Sequence, residues 1–349
     1  MIIKYINYIK PSNAEGLVAD IYRQVKRDFG KIVEPIALHS ILPELLASNW
    51  SALRETNIVD DRVGRNTKDA IATAVSKINK CPWCVDAHTI LLDGLRSKKV
   101  AEAIEGQNLD LIEDTRLKSI VGWALSNRSP NAEIINNPPF TIDEAPEIIG
   151  TAVYYHYINR MVSVLAGRTP LPVEVSFLKS FMKAVAALMF STALKRHKRA
   201  GESLKFIDDF DLDKDLFWAS KNHRITLAFS SHKKVVEKLA SKYIPLKAQD
   251  IVIKTLEDWV GEDPGISRSW VDRYTKNLDV SLRPIIKLSL LTAISPYQID
   301  DTIIDSYRQF NQKDEALLAT LSWASFITAI RISKWLSKPF SRHQTKIRV

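Results

Sequence analysis

Apolar residues recur at helical spacing along most of the chain. Between residues 68 and 78, for example, Ala70, Ile71, Ala74 and Val75 fall on one face of a predicted helix. No segment shows the sustained alternation of apolar and polar residues that is typical of strands. The pattern predicts helices over residues 14–28, 39–53 and 68–78, the second of which is interrupted at Pro43, and another helix that begins at Cys81. It also predicts helices near residues 98–105, 111–126, 144–166, 214–240, 246–259, 265–276, 282–294, 297–308 and 312–337.

The segment between the two groups of helices has a different character. It begins at a break, Pro170 to Pro172, and continues with an apolar stripe between Phe177 and Met189 that we interpret as core. It ends in a polar stretch at 199–214 that predicts a loop or linker. We therefore expect an all-α protein with two helical halves, a linking helix with a basic and acidic loop, and a frayed basic tail. The predicted first domain, linker, second domain and tail cover residues 1–170, 171–210, 211–337 and 338–349.

The two halves contain a related octet. Residues 81–88 (CPWCVDAH) and 295–302 (SPYQIDDT) align at a constant offset of 214 residues, with proline, aromatic, aliphatic and Asp positions in common. The chemically reactive positions differ, because Cys81, Cys84 and His88 are replaced by Ser, Gln and Thr. We interpret the pair as an internal duplication in which the second copy is degenerate.

Composition and charge narrow the classes of function. A chain of 349 residues with 46% hydrophobic residues can bury a large core without disulfide staples, and its 11 glycines are few, which favours long helices. The net charge is +9, but 49 basic and 40 acidic residues are well mixed. The one dense basic run, residues 195–199, is interpreted as a solvated helix end. No nucleic-acid-binding motif accompanies it, so no nucleic-acid partner is expected.

The chain also lacks the patterns of export and membrane insertion. Its first ten residues do not contain the apolar stretch of a signal peptide, and no segment reaches the roughly 18 uninterrupted apolar residues of a membrane span. We therefore expect a cytoplasmic protein without a membrane span. In such a reducing compartment, two cysteines three positions apart are more typical of catalysis or metal binding than of a structural staple.

Cys81, Cys84 and His88 form the strongest chemical signal. Cys81-Pro82 is typical of a helix N-cap and first position, which places Cys84 in the first turn, where free N–H groups and the helix dipole favour a thiolate. His88 follows one turn later on the same face and can exchange a proton with the sulfur or with a leaving group. Cys81 can resolve a sulfenic acid on Cys84 to a disulfide. Asp69, at the start of the preceding helix, could orient His88 or relay a proton.

These residues allow three other interpretations. A thioredoxin-like dithiol should follow a strand in a βαβ unit, but helices flank this one. A zinc site needs a fourth ligand, and no other close Cys or His pair supplies it, so no metal is expected. The third interpretation is purely structural, with two buried cysteines and a core histidine that take part in no reaction. Among the other histidines, His39 and His156 are interpreted as core or pocket residues. The polar neighbours of His197, His223, His232 and His343 predict surface positions.

The segment from Asp69 to His88 resembles the signature of the AhpD-like alkylhydroperoxidases, which belong to the carboxymuconolactone decarboxylase superfamily. The resemblance covers most of the chain but is specific only in this segment. It implies an all-helical, oligomeric protein in which Cys84 attacks the peroxide, Cys81 resolves and His88 is the acid–base group. A family glutamate falls on Asp69, which is one methylene shorter. The best-known members have a histidine between the cysteines where this chain has Trp83, which is expected to pack or to shape the peroxide pocket.

The resemblance further implies no cofactor and an external dithiol reductant of the lipoyl or thioredoxin type. We therefore expect a thiol-dependent peroxidase that reduces hydrogen peroxide or an organic hydroperoxide. Alternatives on the same fold are a disulfide reductase, a decarboxylase or isomerase, and a non-catalytic redox sensor or scaffold. A homo-oligomer is expected from the family, although two tandem halves could provide within one chain what smaller relatives achieve by association.

Overall fold

The computed structural model describes residues 2–171, 182–183, 185–187 and 196–341. Within these ranges the backbone forms helices and connecting turns, with one isolated bridge between Ile3 and Ala166 and no strand. The expectation of an all-α fold is thus confirmed. The helices, numbered here in chain order, are α1 (Gly16–Phe29), α2 (Glu34–Ala37), α3 (Pro43–Leu53), α4 (Arg65–Ile78), α5 (Pro82–Gly94), α6 (Lys98–Gly106), α7 (Thr115–Leu125), α8 (Glu133–Asn136), α9 (Ala145–Leu165), α10 (His223–Tyr243), α11 (Leu246–Asp258), α12 (Asp272–Thr275), α13 (Leu282–Ile294), α14 (Asp301–Arg308) and α15 (Asp314–Ser337).

Several helix boundaries differ from the predicted ones for local reasons. Pro43 begins α3 instead of interrupting a longer helix, since proline suits a first helical position. α4 begins at Arg65, three residues earlier than predicted. α10 begins at His223 because the side chain of Asn222 accepts a hydrogen bond from a backbone N–H of the first turn. Residues Lys214–Ala219, which were predicted to belong to that helix, form a separate 3₁₀ segment.

α9 and α15 lie against each other at the centre of the molecule. Nearly every residue of both helices is buried. The hydroxyl groups of Tyr157 on α9 and Ser322 on α15 lie 3.0 Å apart. Nearby, Nε of Arg160 donates to the carbonyl of Ala293 over 2.7 Å. Residues from the first and second predicted domains therefore share one hydrophobic core, while the predicted domain boundaries themselves stay a prediction.

α15 is a long and mainly apolar helix. With its C-terminal extension it spans Asp314–Ser341, and by length and composition alone it could cross a membrane. In the fold, however, 89% of its most apolar 18-residue window is buried inside the protein. A core helix of this length has the same composition, and packing against α9 accounts for its hydrophobicity.

The two related octets begin with the same local arrangement. Cys81 and Ser295 each follow a long helix and each precede a proline at the first position of the next one. In the first octet a disulfide joins Cys81 to Cys84. At the equivalent positions of the second octet, Oγ of Ser295 donates to Oε1 of Gln298 over 3.0 Å. After this point the second octet differs from the first. Its helical turn ends at Gln298, and a new helix, α14, begins with Asp300 as its N-cap. The internal duplication stays a prediction that this likeness supports.

Three predicted features fall partly outside the described residues. Most of the apolar stripe at 177–189 and most of the basic tail lie there. Of the basic run, Arg196, His197 and Arg199 are exposed, as expected of a solvated segment, but Lys198 is buried and residues 196–199 are not helical. Burial first, and then the Arg65 guanidinium, lowers the pKa of Lys198 to about 8.

Candidate active site

Cys81 and Cys84 form a disulfide at the N-terminus of α5. Cys81 is the N-cap residue, its backbone N–H donates to the carbonyl of Ser76 over 3.0 Å, and the two cysteine Cα atoms lie 5.4 Å apart. Lys80 has a φ of 55°, a left-handed conformation that lets the chain turn sharply from α4 into α5. Both cysteines are buried. The turn between α4 and α5 therefore holds the two cysteines close enough for their sulfur atoms to form the disulfide.

His88 lies one turn after Cys84 and contacts α4 through Asp69. Its Nδ1 lies 3.3 Å from Oδ1 of Asp69, although the two atoms are not aligned as in a conventional hydrogen bond. Asp69 is completely buried in the second turn of α4. The four residues singled out from the sequence, Cys81, Cys84, His88 and Asp69, are thus brought together by the packing of α4 on α5.

Arg65 is a further member of this group that the sequence analysis missed. Its Nε donates to Oδ2 of Asp69 over 2.7 Å, one helical turn apart, and both side chains are buried. Burial alone would raise the pKa of Asp69, but Arg65 and then His88 lower it below its ordinary value, so Asp69 remains a carboxylate. The i to i+4 spacing of Arg and Asp was the available signal, but the helix had been predicted to begin only at residue 68.

The carboxylate defines how the imidazole of His88 can act. With Nδ1 facing Asp69, a neutral ring keeps its proton on Nδ1 and leaves Nε2 as the basic nitrogen. The ring of Tyr155 meets the His88 ring edge to face, with centroids 4.6 Å apart and an interplanar angle of 89°. Burial, and then the charge of Asp69, raises the pKa of Tyr155 well above its ordinary value, so the phenol stays neutral. Tyr155 and Asp69 together restrict the orientation of His88.

Cys84 and His88 both line a mainly apolar cavity between α5, α9 and the segment that joins α1 to α2. We call it the Cys84 cavity; its volume is about 100 Å³. Trp83 lies in its wall, which agrees with the expectation that this residue shapes a pocket. The apolar lining includes Trp83, Ala87, Leu91, Tyr154, Ile158 and Val162.

Cys81 borders different surroundings. It lies at the edge of an open groove of about 390 Å³ together with Lys80, Asp86 and Glu105. Nζ of Lys183 lies 3.0 Å from Asp86 and 3.2 Å from Glu105, so charged pairs line the groove. The disulfide therefore separates a more enclosed cavity on the Cys84 side from an open groove with charged side chains around it on the Cys81 side.

His39 and His156 are core histidines and do not line the Cys84 cavity. Nε2 of His39 lies 2.7 Å from the Tyr157 hydroxyl, and Nδ1 of His156 lies 3.1 Å from Nδ2 of Asn79. Burial lowers the pKa of His39 to about 3 and that of His156 well below its ordinary value. Both rings are therefore neutral members of the packed interior. Within the described part of the chain, no group of three or more His, Cys, Asp or Glu residues is placed to hold a metal ion.

The histidines predicted at the surface have different outcomes. His197 and His223 are exposed, and His343 lies outside the described residues. The prediction is wrong for His232, which is buried on the inner face of α10 with its Nδ1 3.0 Å from the Ser48 hydroxyl. Its polar sequence neighbours lie on the outer face of the same helix, a distinction that neighbouring residue types alone do not reveal.

No family model matches the chain, and no solved structure matches it. A curated relative from Mycobacterium tuberculosis, named alkyl hydroperoxide reductase Rv2159c, is 33% identical over 337 residues, which cover 96% of each chain. That similarity extends over both helical halves as well as the dithiol segment. The chain therefore belongs to the AhpD-like alkylhydroperoxidase family.

Proposed function

We propose that this protein is a thiol-dependent peroxidase that uses Cys84 as its nucleophile. The observation that carries the proposal is that Cys84 and His88 line one cavity while Asp69 and Arg65 stand behind the imidazole. A nucleophile, a base and a group that orients the base are the parts of an activated-nucleophile site. The name of the relative, alkyl hydroperoxide reductase, supports the same class of chemistry.

The first step starts from the reduced dithiol. The Cys84 thiolate attacks the terminal oxygen of a hydroperoxide, so that an S–O bond forms and the O–O bond breaks. The sulfur loses two electrons, the peroxide gains them, and the departing alkoxide takes a proton from His88 to leave as an alcohol or, from hydrogen peroxide, as water. Cys84 lies in the first turn of α5, and the positive end of a helix dipole favours a thiolate over a thiol.

The second step closes the disulfide seen in the structure. The Cys81 thiol attacks the sulfenic acid on Cys84, a Cys81–Cys84 bond forms, and water leaves. Return to the dithiol needs two electrons, which we assign to an external dithiol of the lipoyl or thioredoxin type. The groove beside Cys81 supports approach from that side, because it is the more open of the two spaces next to the disulfide.

The buried carboxylate has an electrostatic role in this scheme. When His88 holds a proton for the leaving group, it is a cation in a buried site, and the Asp69 carboxylate 3.3 Å away stabilises it. Arg65 keeps that carboxylate ionised despite its burial. The Arg65–Asp69–His88 row therefore sets both the tautomer and the charge of the acid–base group.

A stopped-flow experiment tests the proposal directly. The reduced protein is mixed with hydrogen peroxide or cumene hydroperoxide, and loss of thiols is followed for the native chain, Cys84→Ser, His88→Ala and the exposed control His223→Ala. We expect loss of two thiols per chain, no rapid loss in Cys84→Ser, a slower reaction in His88→Ala and an unchanged one in the control. If the native chain reacts no faster than a free thiol at the same pH, the peroxidase proposal fails and a disulfide reductase or a redox sensor explains the dithiol better.

A further inference from the structure

Lys80, the residue directly before Cys81, is held by the second half of the chain. Its ammonium group forms an ion pair with Asp263 and lies over the ring of Tyr297, 4.7 Å from the ring centroid. The Tyr297 hydroxyl donates to Oδ1 of Asp263 over 2.6 Å. Each of the three side chains therefore contacts the other two, and we call this group the Lys80 clamp.

The degenerate octet supports this clamp. Tyr297 belongs to the octet, and so does Gln298, which stands at the position equivalent to Cys84. Nε2 of Gln298 donates to the carbonyl of Gly265 over 2.7 Å, two residues after Asp263 in the same loop. A cysteine at position 298 could not make this bond, because it lacks an amide N–H. The residue that replaces the cysteine therefore holds the loop that carries the carboxylate of the clamp.

Lys80 is also the residue at which the chain turns from α4 into α5. Its φ of 55° is left-handed, a conformation that is unfavourable for a residue with a Cβ. The N–H groups of Lys80 and Cys81 donate to the carbonyls of Lys77 and Ser76 respectively, each over 3.0 Å. The clamp stabilises this turn, because it fixes the side chain of the residue whose backbone is strained.

The position of Cys81 decides whether the two sulfurs can bond. Cys84 lies within α5, whereas Cys81 is the N-cap residue and follows Lys80 directly. The two cysteine Cα atoms lie 5.4 Å apart, and a pair more than about 7 Å apart cannot be bridged unless the backbone moves. A displacement of Cys81 by about 2 Å away from Cys84 therefore prevents the bond.

We propose that the Lys80 clamp positions Cys81, so that its sulfur stays within reach of Cys84 in the step that closes the disulfide. This inference rests on the proposed peroxidase function and assigns the geometry of its second step to the second half of the chain. In that step the Cys81 sulfur attacks the Cys84 sulfenic acid, the S–S bond forms as the S–O bond breaks, and the hydroxide leaves as water with the thiol proton of Cys81. The first step does not involve Cys81, so its rate does not depend on the clamp.

Separate measurement of the two chemical steps tests the proposal. The reduced full chain is mixed with cumene hydroperoxide and quenched at intervals, and mass spectrometry counts the sulfenic acid trapped by dimedone and the thiols trapped by iodoacetamide. In Lys80→Gly and in Asp263→Asn, closure of the disulfide should slow about tenfold or more, so that the sulfenic acid accumulates, while Cys84 is oxidised at the native rate. Native closure in both variants would overturn the proposal. Equal slowing of both steps would show a general structural role and would also contradict it.

Arg96→Gly is the matched control for Lys80→Gly. Arg96 is exposed and has the same left-handed backbone, with a φ of 63°, beyond the other end of α5. Both substitutions relieve backbone strain, but only Lys80→Gly removes a contact of the clamp. Because the Lys80 side chain is 53% exposed, its ion pair adds little to global stability, and chemical denaturation should show both variants folded. Slow closure in Arg96→Gly as well would assign the effect to the added freedom of glycine and contradict the clamp.

Reaction with 5,5′-dithiobis(2-nitrobenzoate) measures closure without any peroxide. The first thiolate displaces one thionitrobenzoate and forms a mixed disulfide, and the second thiolate closes the Cys81–Cys84 bond and displaces the other. This second release should be about tenfold slower in Lys80→Gly than in the native chain. If it is slowed in this way while no peroxide oxidises Cys84, the peroxidase function is wrong and the positioning of Cys81 stands. If peroxide oxidises Cys84 but both clamp variants close at the native rate in both assays, the peroxidase function stands and the clamp proposal is wrong.

Discussion

Asp69 joins Arg65 to His88. Its Oδ2 accepts from Nε of Arg65 over 2.7 Å, while its Oδ1 lies 3.3 Å from Nδ1 of His88. Because all three side chains are buried or nearly so, each charge in the row depends on its neighbour. Two consequences for the reaction can be measured.

Arg65→Ala should move the acid limb of the pH–rate profile to higher pH. Removing the guanidinium leaves Asp69 buried without its main cation, so its pKa rises and the carboxylate is lost at a higher pH than in the native chain. We expect thiol oxidation at pH 7 to slow about tenfold, with partial recovery in Arg65→Lys. Arg62→Ala, whose side chain is exposed three residues away, serves as control. Superimposable profiles for Arg65→Ala and the native chain would show that Arg65 has no part in the reaction.

Asp69→Asn should slow the first step without changing which thiols react. An amide can present an N–H to His88 and favour the wrong tautomer, and it cannot stabilise an imidazolium. We expect the rate of Cys84 oxidation to fall about a hundredfold. Asp69→Glu restores the carboxylate that is usual in the family and should recover most of that loss. If the Asn variant retains the native rate, Asp69 contributes to folding alone.

The helices that carry the dithiol could be predicted from sequence because their signals are local. α13 has its predicted bounds, and Cys81-Pro82 begins α5 as its residue types require. Arg65 was missed because Gly64 gives no strong start signal, so the first turn of α4 was left out. Tyr155 and the cavity depend on how α9 packs against α5, which is a long-range property. The residues of one helix do not reveal which face another helix will cover.

Arg54→Ala should destabilise the fold strongly. The Arg54 guanidinium is completely buried and contacts Asp28 and Glu55 at 2.7 Å each and Glu202 at 3.1 Å. Its removal leaves the buried carboxylates of Asp28 and Glu55 without their only fully buried cation, which costs about 3–5 kcal/mol. Chemical denaturation should report this loss. Arg27→Ala, which removes a half-exposed partner of Asp28 and Glu202, should cost less than about 1 kcal/mol. Equal losses in the two variants would argue against a central role for Arg54.

Stability should fall as the pH drops below about 4.5. Burial alone would raise the pKa values of Asp28 and Glu55, but the arginines beside Asp28, and Ser203, Gly201 and Arg54 beside Glu55, lower them below their ordinary values. A carboxyl with a lowered folded-state pKa stabilises the fold above its unfolded pKa and loses that contribution as the pH falls through the folded value. Urea midpoints at pH 7, 5, 4 and 3 should decline over the last steps. Glu55→Gln should be less stable at pH 7 and decline less steeply.

Gly261 and Gly265 provide a matched test of how the second half supports the dithiol turn. Both have left-handed backbones, with φ of 99° and 83°, but a Cβ on Gly261 would lie 1.9 Å from the carbonyl oxygen of Arg128, whereas one on Gly265 would have nothing within 4 Å. The Arg128 guanidinium donates to the carbonyls of Gly261 at 3.0 Å and Ile78 at 3.3 Å, which connects this loop to the end of α4 just before Cys81.

Gly265→Ala should therefore cost only the backbone strain, about 1–2 kcal/mol. Gly261→Ala adds a displacement of the Arg128 backbone and should cost about 3 kcal/mol or more in chemical denaturation. Because Arg128 also contacts the end of α4, the folded fraction of Gly261→Ala should oxidise its thiols more slowly than Gly265→Ala. Equal stabilities would show that the loop relaxes away from Arg128 at little cost. A stability difference without a difference in thiol oxidation would show that the loop supports the fold but does not position Cys81.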